Sequence, residues 1–334
     1  MNNNSLREIA DKIIEVDQIL LFPHVNMDGD ALGSAVALCK GLRLLGKKCS
    51  VLIEDEIPGY LMFLDKGYCI ENADKIKHPD LCICVDCAEI SRFKKRKEKF
   101  MQGKSSMCID HHITSDPFCD FNYIDGNAAA TAEIVFKLLK ELNIQMDKEI
   151  GEALWAGITT DTGNFQYSNT TKETHEIVVQ LYDLNIDHND ISVKIYENVR
   201  PEKMLMTNKV MDNIRFFAGG KAAITYVTLD MLKETGAKAD ETEGIVEKLR
   251  CIAGVEIAAF LKEDAEERIK VSMRSKSYAN VAEIAMRFNG GGHTKAAGCT
   301  INADMPFALK MMVNEIEITL KEACEKARHE NKKL

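Results

Sequence analysis

Proline is scarce in this chain, 6 in 334 residues, and neither a low-complexity tract nor a repeat of 20 to 50 residues breaks it up. With 46% hydrophobic and 28% charged residues, this excludes collagen-like and disordered classes and leaves an ordinary globular protein of about two domains. Nowhere do 18 apolar residues run together, and the N-terminus, MNNNSLREIADK, has no apolar stretch after a basic start. No membrane span or secretory leader is expected, and the cytoplasm is the expected compartment. A basic excess is also missing: 43 Lys plus Arg face 52 Asp plus Glu, a formal charge of −9. That disfavours a grip on long nucleic acid by counterion release and leaves short or small anionic substrates open. There is no G-x-S-x-G elbow for serine hydrolysis. The Gly41–Lys47 stretch imitates a phosphate loop, but Lys48 stands where Ser or Thr should bind Mg²⁺. Cys82, Cys84 and Cys87 lack a second C-x₂-C to complete a zinc site, so the 11 cysteines read as reduced, mostly buried small hydrophobes.

What is present is a β-α alternation. An amphipathic helix (6–16) precedes an apolar strand (19–22), a helix (31–45) and a strand (49–53). Further strands follow at 81–85 and 106–109, with a basic helix at 93–100 between them. Helices are expected at 131–142, 148–158 and 172–184, with TTDTGNF (159–165) as a loop. The class is α/β: an N-terminal parallel sheet flanked by helices over 1–185, and a polar linker with a connecting helix over 186–215. A smaller C-terminal α/β domain with a mixed sheet takes 216–334.

The chemistry is legible in where the acids fall. Strand 19–22 runs into His24, Asp28 and Asp30, strand 81–85 into Asp86, and strand 106–109 into Asp110, His111 and His112. Strand carboxyl ends of a parallel sheet share one edge, so these residues should converge, with Asp161 able to join them. Each alone has a plain reading: a turn at Asp28-Gly29-Asp30, a helix cap at Asp86, surface histidines, a turn at Asp161. Together they would gather carboxylates that resist joint ionisation unless cations compensate. Imidazole and carboxylate without thiolate favour two divalent ions, Mn²⁺ first, with Mg²⁺, Fe²⁺ or Co²⁺ as competitors. Such a pair would activate water against a phosphoester.

HVNMDGDALGS (24–34), VDCAE (85–89), IDHH (109–112) and TTDTGNF resemble the successive motifs of the DHH phosphoesterase family. GGGHTKAAG (290–298) resembles the signature of the DHH-associated C-terminal domain. The chain length is similar to the nano-RNase and pAp phosphatase (NrnA-like) branch. The resemblance implies one metal on His24, Asp28 and Asp86 and another on Asp30, Asp86, His111 and Asp161. It further implies that His112 faces the substrate and that Asp110 orients the site. Arg274-Ser275 resembles the family's substrate-binding pair, and Gly290, Gly291, Gly292 and His293 would let backbone N–H groups reach a phosphate. Without the resemblance, 290–293 reads as a flexible loop and Arg274 as a solvated strand end. The implied substrates are short RNA, pApA from cyclic di-AMP turnover, and pAp, with the second domain closing over a cleft and limiting their length. Neither long nucleic acid nor a membrane is an expected partner, and a homo-oligomer, a dimer first, is left open. Two alternatives stand beside this reading: a DHH-type inorganic pyrophosphatase, and a nucleotide-binding regulator that has lost catalysis.

Overall fold

The structure is a computed structural model that describes residues 3–87, 89–112 and 117–330. Ala88, inside VDCAE, lies outside the described residues. The chain divides into two compact units, Met1–Asn198 and Val199–Leu334.

In the first unit, α1 (Leu6–Ile14) opens with a reciprocal Ser5/Glu8 cap and leads into β1 (Gln18–Pro23). There follow α2 (Gly29–Leu44), β2 (Lys48–Leu52), β3 (Cys69–Ile70), β4 (Leu81–Val85), α3 (Lys97–Phe100), β5 (Ser105–Asp110) and β6 (Phe121–Ile124). Four helices complete the unit: α4 (Thr131–Glu141), α5 (Lys148–Asp161), α6 (Lys172–Tyr182) and α7 (His188–Ser192). The six strands pair in parallel in the order β3-β2-β1-β4-β5-β6. Both faces of the sheet are covered, which is why its central strands read as unbroken apolar runs. Ile19, Leu21, Ile83 and Val85 pack towards α1, α2, α4 and α5 on one face. Leu20, Phe22, Cys82, Cys84 and Cys108 meet Phe93 and Phe100 on the other. The cysteines are thus packing residues, and burial pushes the Cys82 and Cys84 thiols up.

The second unit holds α8 (Pro201–Met211), β7 (Arg215–Phe217), β8 (Ala222–Val227), α9 (Leu229–Thr235), α10 (Ile245–Arg250), β9 (Ile257–Ala265) and β10 (Arg268–Ser275). It ends with α11 (Val281–Arg287), β11 (Gly291–His293), β12 (Ala296–Ile301) and α12 (Met305–Glu330). Its sheet, β11-β12-β10-β9-β8-β7, is mixed: β8 and β9 are parallel and the other neighbours antiparallel. Among the described residues no helix is long and apolar enough to cross a membrane.

Four local expectations need correction. Residues 159–161 are the last turn of α5 rather than loop, because the helical hydrogen bonds continue through Asp161. The basic stretch is a 3₁₀ segment, Ile90–Arg96, followed by the single turn of α3, with Arg96 turned inward. The polar stretch 186–200 is largely helical: α7 runs into a π-helical turn, Val193–Glu197, and Ile191 is buried in the first unit's core. Finally, Gly291–His293 is an edge strand rather than a flexible loop. A Cβ at Gly290 would lie 2.3 Å from the Gly298 carbonyl oxygen, so close strand contact alone requires glycine there.

Candidate metal centre

The strand order of the first sheet reverses between β1 and β4, and their carboxyl ends deliver His24 and Asp86. In an open parallel sheet this is where ligands bind. His24 is almost fully buried, and its Nδ1 lies 2.8 Å from the Val25 carbonyl oxygen. Its Nε2 is thereby aimed at Asp28 Oδ2 (3.6 Å) and Asp86 Oδ2 (3.4 Å). Asp28 caps α2 by accepting from the Ala31 N–H through Oδ1, which leaves Oδ2 for the cluster. Asp86 has left-handed backbone, φ +56°, and its Oδ1 accepts from the Thr131 hydroxyl at 2.9 Å. Holding a non-glycine residue there costs about 1 kcal/mol or more and re-aims its side chain.

β5 ends at the buried Asp110, whose Oδ1 accepts from the His111 and His112 backbone N–H groups and meets His112 Nδ1 at 2.7 Å. His111 Nδ1 lies 3.2 Å from the Ala128 carbonyl oxygen. Its Nε2 then stands 3.2 Å from Asp161 Oδ2, 3.6 Å from Asp86 Oδ1 and 3.9 Å from Asp30 Oδ2. Asp30, in the first turn of α2, is fully buried and accepts from the Ser34 hydroxyl and from the Thr131 and Ala132 N–H groups. It receives the N-terminus of α4, where free N–H groups favour an anion.

Three sets of donors converge: His24, Asp28 and Asp86; Asp30, His111 and Asp161; Asp86, His111 and His112. Burial and the charges of Asp86 and Asp28 push Asp161 up to about 8, and burial with the charges of Asp86 and Asp161 raises Asp30 well above its ordinary value. Burial opposes a charged His24, yet Asp28 and Asp86 outweigh it and carry its pKa to about 10. Four carboxylates packed this closely call for positive charge. Two imidazoles, each pinned through Nδ1 to a carbonyl with Nε2 aimed inward, complete a donor set that fits divalent cations.

All eight site residues expected from the first unit meet here. Those of the second unit gather at one end of its sheet, where His293, Ala296 and Arg274 are in register across β11, β12 and β10. Arg274 pairs with Glu247 at 3.0 Å, and the buried Ser275 donates to the Thr294 carbonyl. Sequence reasoning missed Thr131, Ser34, Asn169 and Arg96. Asn169 donates to the Ala129 and Asp161 carbonyls, tying the α4 entry to the end of α5. Arg96 donates to the Pro23 carbonyl at 2.9 Å, directly before His24, and to the Leu52 carbonyl at 2.6 Å. The run NAAAT before a helical pattern is a signal for Thr131, whereas nothing in a basic stretch marks Arg96 as buried.

Histidines and carboxylates gathered at the switch point of a parallel sheet define a candidate divalent-metal site of the kind used by metal-dependent hydrolases. The chain belongs to the DHH family: the model of the DHH family N-terminal domain matches residues 18–158 and that of the DHHA1 domain residues 219–322. It is 30% identical over 299 residues to a bifunctional oligoribonuclease and PAP phosphatase NrnA of Thermus thermophilus, covering 89% of this chain and 88% of that one. The protein of the same name from Bacillus subtilis is 27% identical, over 88% of this chain and 92% of its own. An exopolyphosphatase-related protein of Bacteroides fragilis has a similar structure, with a TM-score of 0.87 and 26% identity. That match covers 93% of this chain and 95% of the other.

Proposed function

We propose that this protein is a dinuclear, Mn²⁺-dependent phosphoesterase of short nucleotides, acting on RNA of a few residues, pApA and pAp. The observation that carries the reading is the convergence of His24, Asp28, Asp30, His111 and Asp161 around Asp86. Relatives named as oligoribonuclease and PAP phosphatase, aligned over nearly the whole chain, support the substrate class.

His24, Asp28 and Asp86 would hold one cation and Asp30, Asp86, His111 and Asp161 the other. A thiolate-free set of imidazole and carboxylate suits Mn²⁺ better than structural zinc. When bound, the ions lower the pKa of water and offset the charge that develops on the phosphoryl group. Water attacks phosphorus and releases a proton to solvent, the bond to the leaving oxygen breaks, and that oxygen takes a proton. His112 supplies it: Asp110 holds Nδ1, leaving Nε2 to face the leaving group, and the Asp110 carboxylate raises the ring's pKa and so favours its protonated form. Arg274, held by Glu247, and the backbone of Gly290, Gly291, Gly292 and His293 bind a substrate phosphate. Ser275 fixes the neighbouring turn through Thr294. A cytoplasmic setting agrees with the free thiols of the ten cysteines from Cys39 to Cys299.

The test is release of phosphate and nucleotide with Mn²⁺ from pAp, pApA, di- to pentanucleotide RNA, long RNA and pyrophosphate, with Asp86→Asn in parallel. Turnover of the short nucleotides, lost in the variant, is expected. Turnover of pyrophosphate alone would assign a pyrophosphatase, and affinity without turnover a binding regulator.

A further inference from the structure

We infer that the second unit carries a binding pocket for a small anionic amphiphile, an apolar body bearing one carboxylate, sulfonate or phosphate head. This inference does not rest on the hydrolytic reading. The pocket lies between the β7 edge of the second sheet and the first three turns of α12, and has a volume of about 560 Å³. That is within the range, roughly 300–1,000 Å³, in which proteins hold drug-sized molecules.

Its build follows from two periodicities. Ile224 and Tyr226 alternate along β8 and so present to one face, and Arg215 on β7 is in register with Ile224. Met305, Leu309 and Val313 recur every four residues along α12 and form the facing wall. Ile224, Met305 and Leu309 are buried, so the floor is apolar. Arg215 and Lys310, one from each wall, are both exposed, and neither pairs with a carboxylate among the described residues. Among the described residues no acidic side chain lines the pocket, although the chain as a whole carries a formal charge of −9. Two unpaired cations over an aliphatic floor select an occupant with matching halves. Its apolar body gains from leaving water, and its head meets a charge-assisted hydrogen bond. A neutral occupant of the same shape forgoes the second gain.

The experiment is a fluorescence titration of the full-length protein with 1-anilinonaphthalene-8-sulfonate, with decanoate and decanol as competitors. Expected is saturable binding at one site, displaced by decanoate at about a tenfold lower concentration than by decanol, as a single charged hydrogen bond predicts. Arg215→Glu combined with Lys310→Glu should weaken probe and decanoate by about tenfold or more and remove the rise in Tm that decanoate gives the unmodified protein. Equal competition by decanol, or unchanged binding by the double variant, overturns the inference. So does a double variant that dissociates an oligomer without altering probe binding, which would give the groove to a second copy of the chain. The competitor pair needs no variant and tests the inference even if the double substitution fails to fold.

Discussion

Asp86 joins two halves of the cluster while its own backbone sits in the left-handed region. Asparagine tolerates that conformation better than most residues, so Asp86→Asn separates charge from fold. Circular dichroism and Tm should stay near those of the parent in the presence of chelator. Equilibrium dialysis should show weakened Mn²⁺ binding, and kcat/KM on pAp should fall by about a thousandfold, the scale of several kcal/mol of lost charge stabilisation. Arg96 offers a contrasting case. It is buried, and its Nε lies 3.6 Å from the equally enclosed Glu54. Arg96→Leu strands that carboxylate and two strand-end carbonyls, and urea unfolding should show a loss of about 3 kcal/mol. Most of the candidate metal ligands were legible because they follow apolar strands; Asp161, at the end of α5, was legible only through the TTDTGNF motif. Arg96 was not, because its role depends on a chain reversal that brings a basic stretch against the ends of β1 and β2.

Two helices, α2 with its cap Asp28 and α5, carry three of the carboxylates and touch through glycine. A Cβ at Gly33 would stand 2.4 Å from the Ala153 carbonyl oxygen, and one at Gly157 would stand 2.9 Å from Asp30 Oδ1. Gly33→Ala should cost about 1–3 kcal/mol in thermal or urea unfolding. Gly157→Ala should in addition weaken Mn²⁺ binding, since it presses on Asp30; wild-type affinity in that variant would argue that Asp30 is free to shift. In the second unit, burial opposes a charged Glu256, but the N–H groups of Ser277, Tyr278 and Ala279 and the Ser277 hydroxyl hold its pKa below the ordinary value. The unfolded chain therefore takes up the proton first as pH falls. The stabilisation is complete above the unfolded value, about 4.3, and drains away below it. Urea titrations should show the stability gap between parent and Glu256→Gln closing as the pH drops through that region. The repeating strands and helices were readable from apolar runs and 3.6-residue spacing. β3 and β7 were not, because strands of two and three residues at sheet edges are too short to show a period.

Each unit has its own buried clusters, and the proposed metal ligands all belong to the first. Calorimetry should therefore resolve two transitions, with Mn²⁺ raising only one of them and a chelator returning it, as expected when a ligand binds one folded unit. Activity should vanish on chelation and return with Mn²⁺. The switch point also bears on how the protein comes to exist in time. β1 and β4 are neighbours in the sheet but are separated in the chain by the whole of β2 and β3. Parallel pairing at such sequence distance closes slowly, after local helices have formed. On a ribosome, β1 can pair with β2 early, but its other edge must wait until the chain has been made past Val85, and the donor set is incomplete until Asp161 has emerged. A complete donor set therefore forms only after β1 and β4 have paired, while α6 and α7, whose Ile177, Leu181 and Ile191 finish the core of the first unit, are made later still.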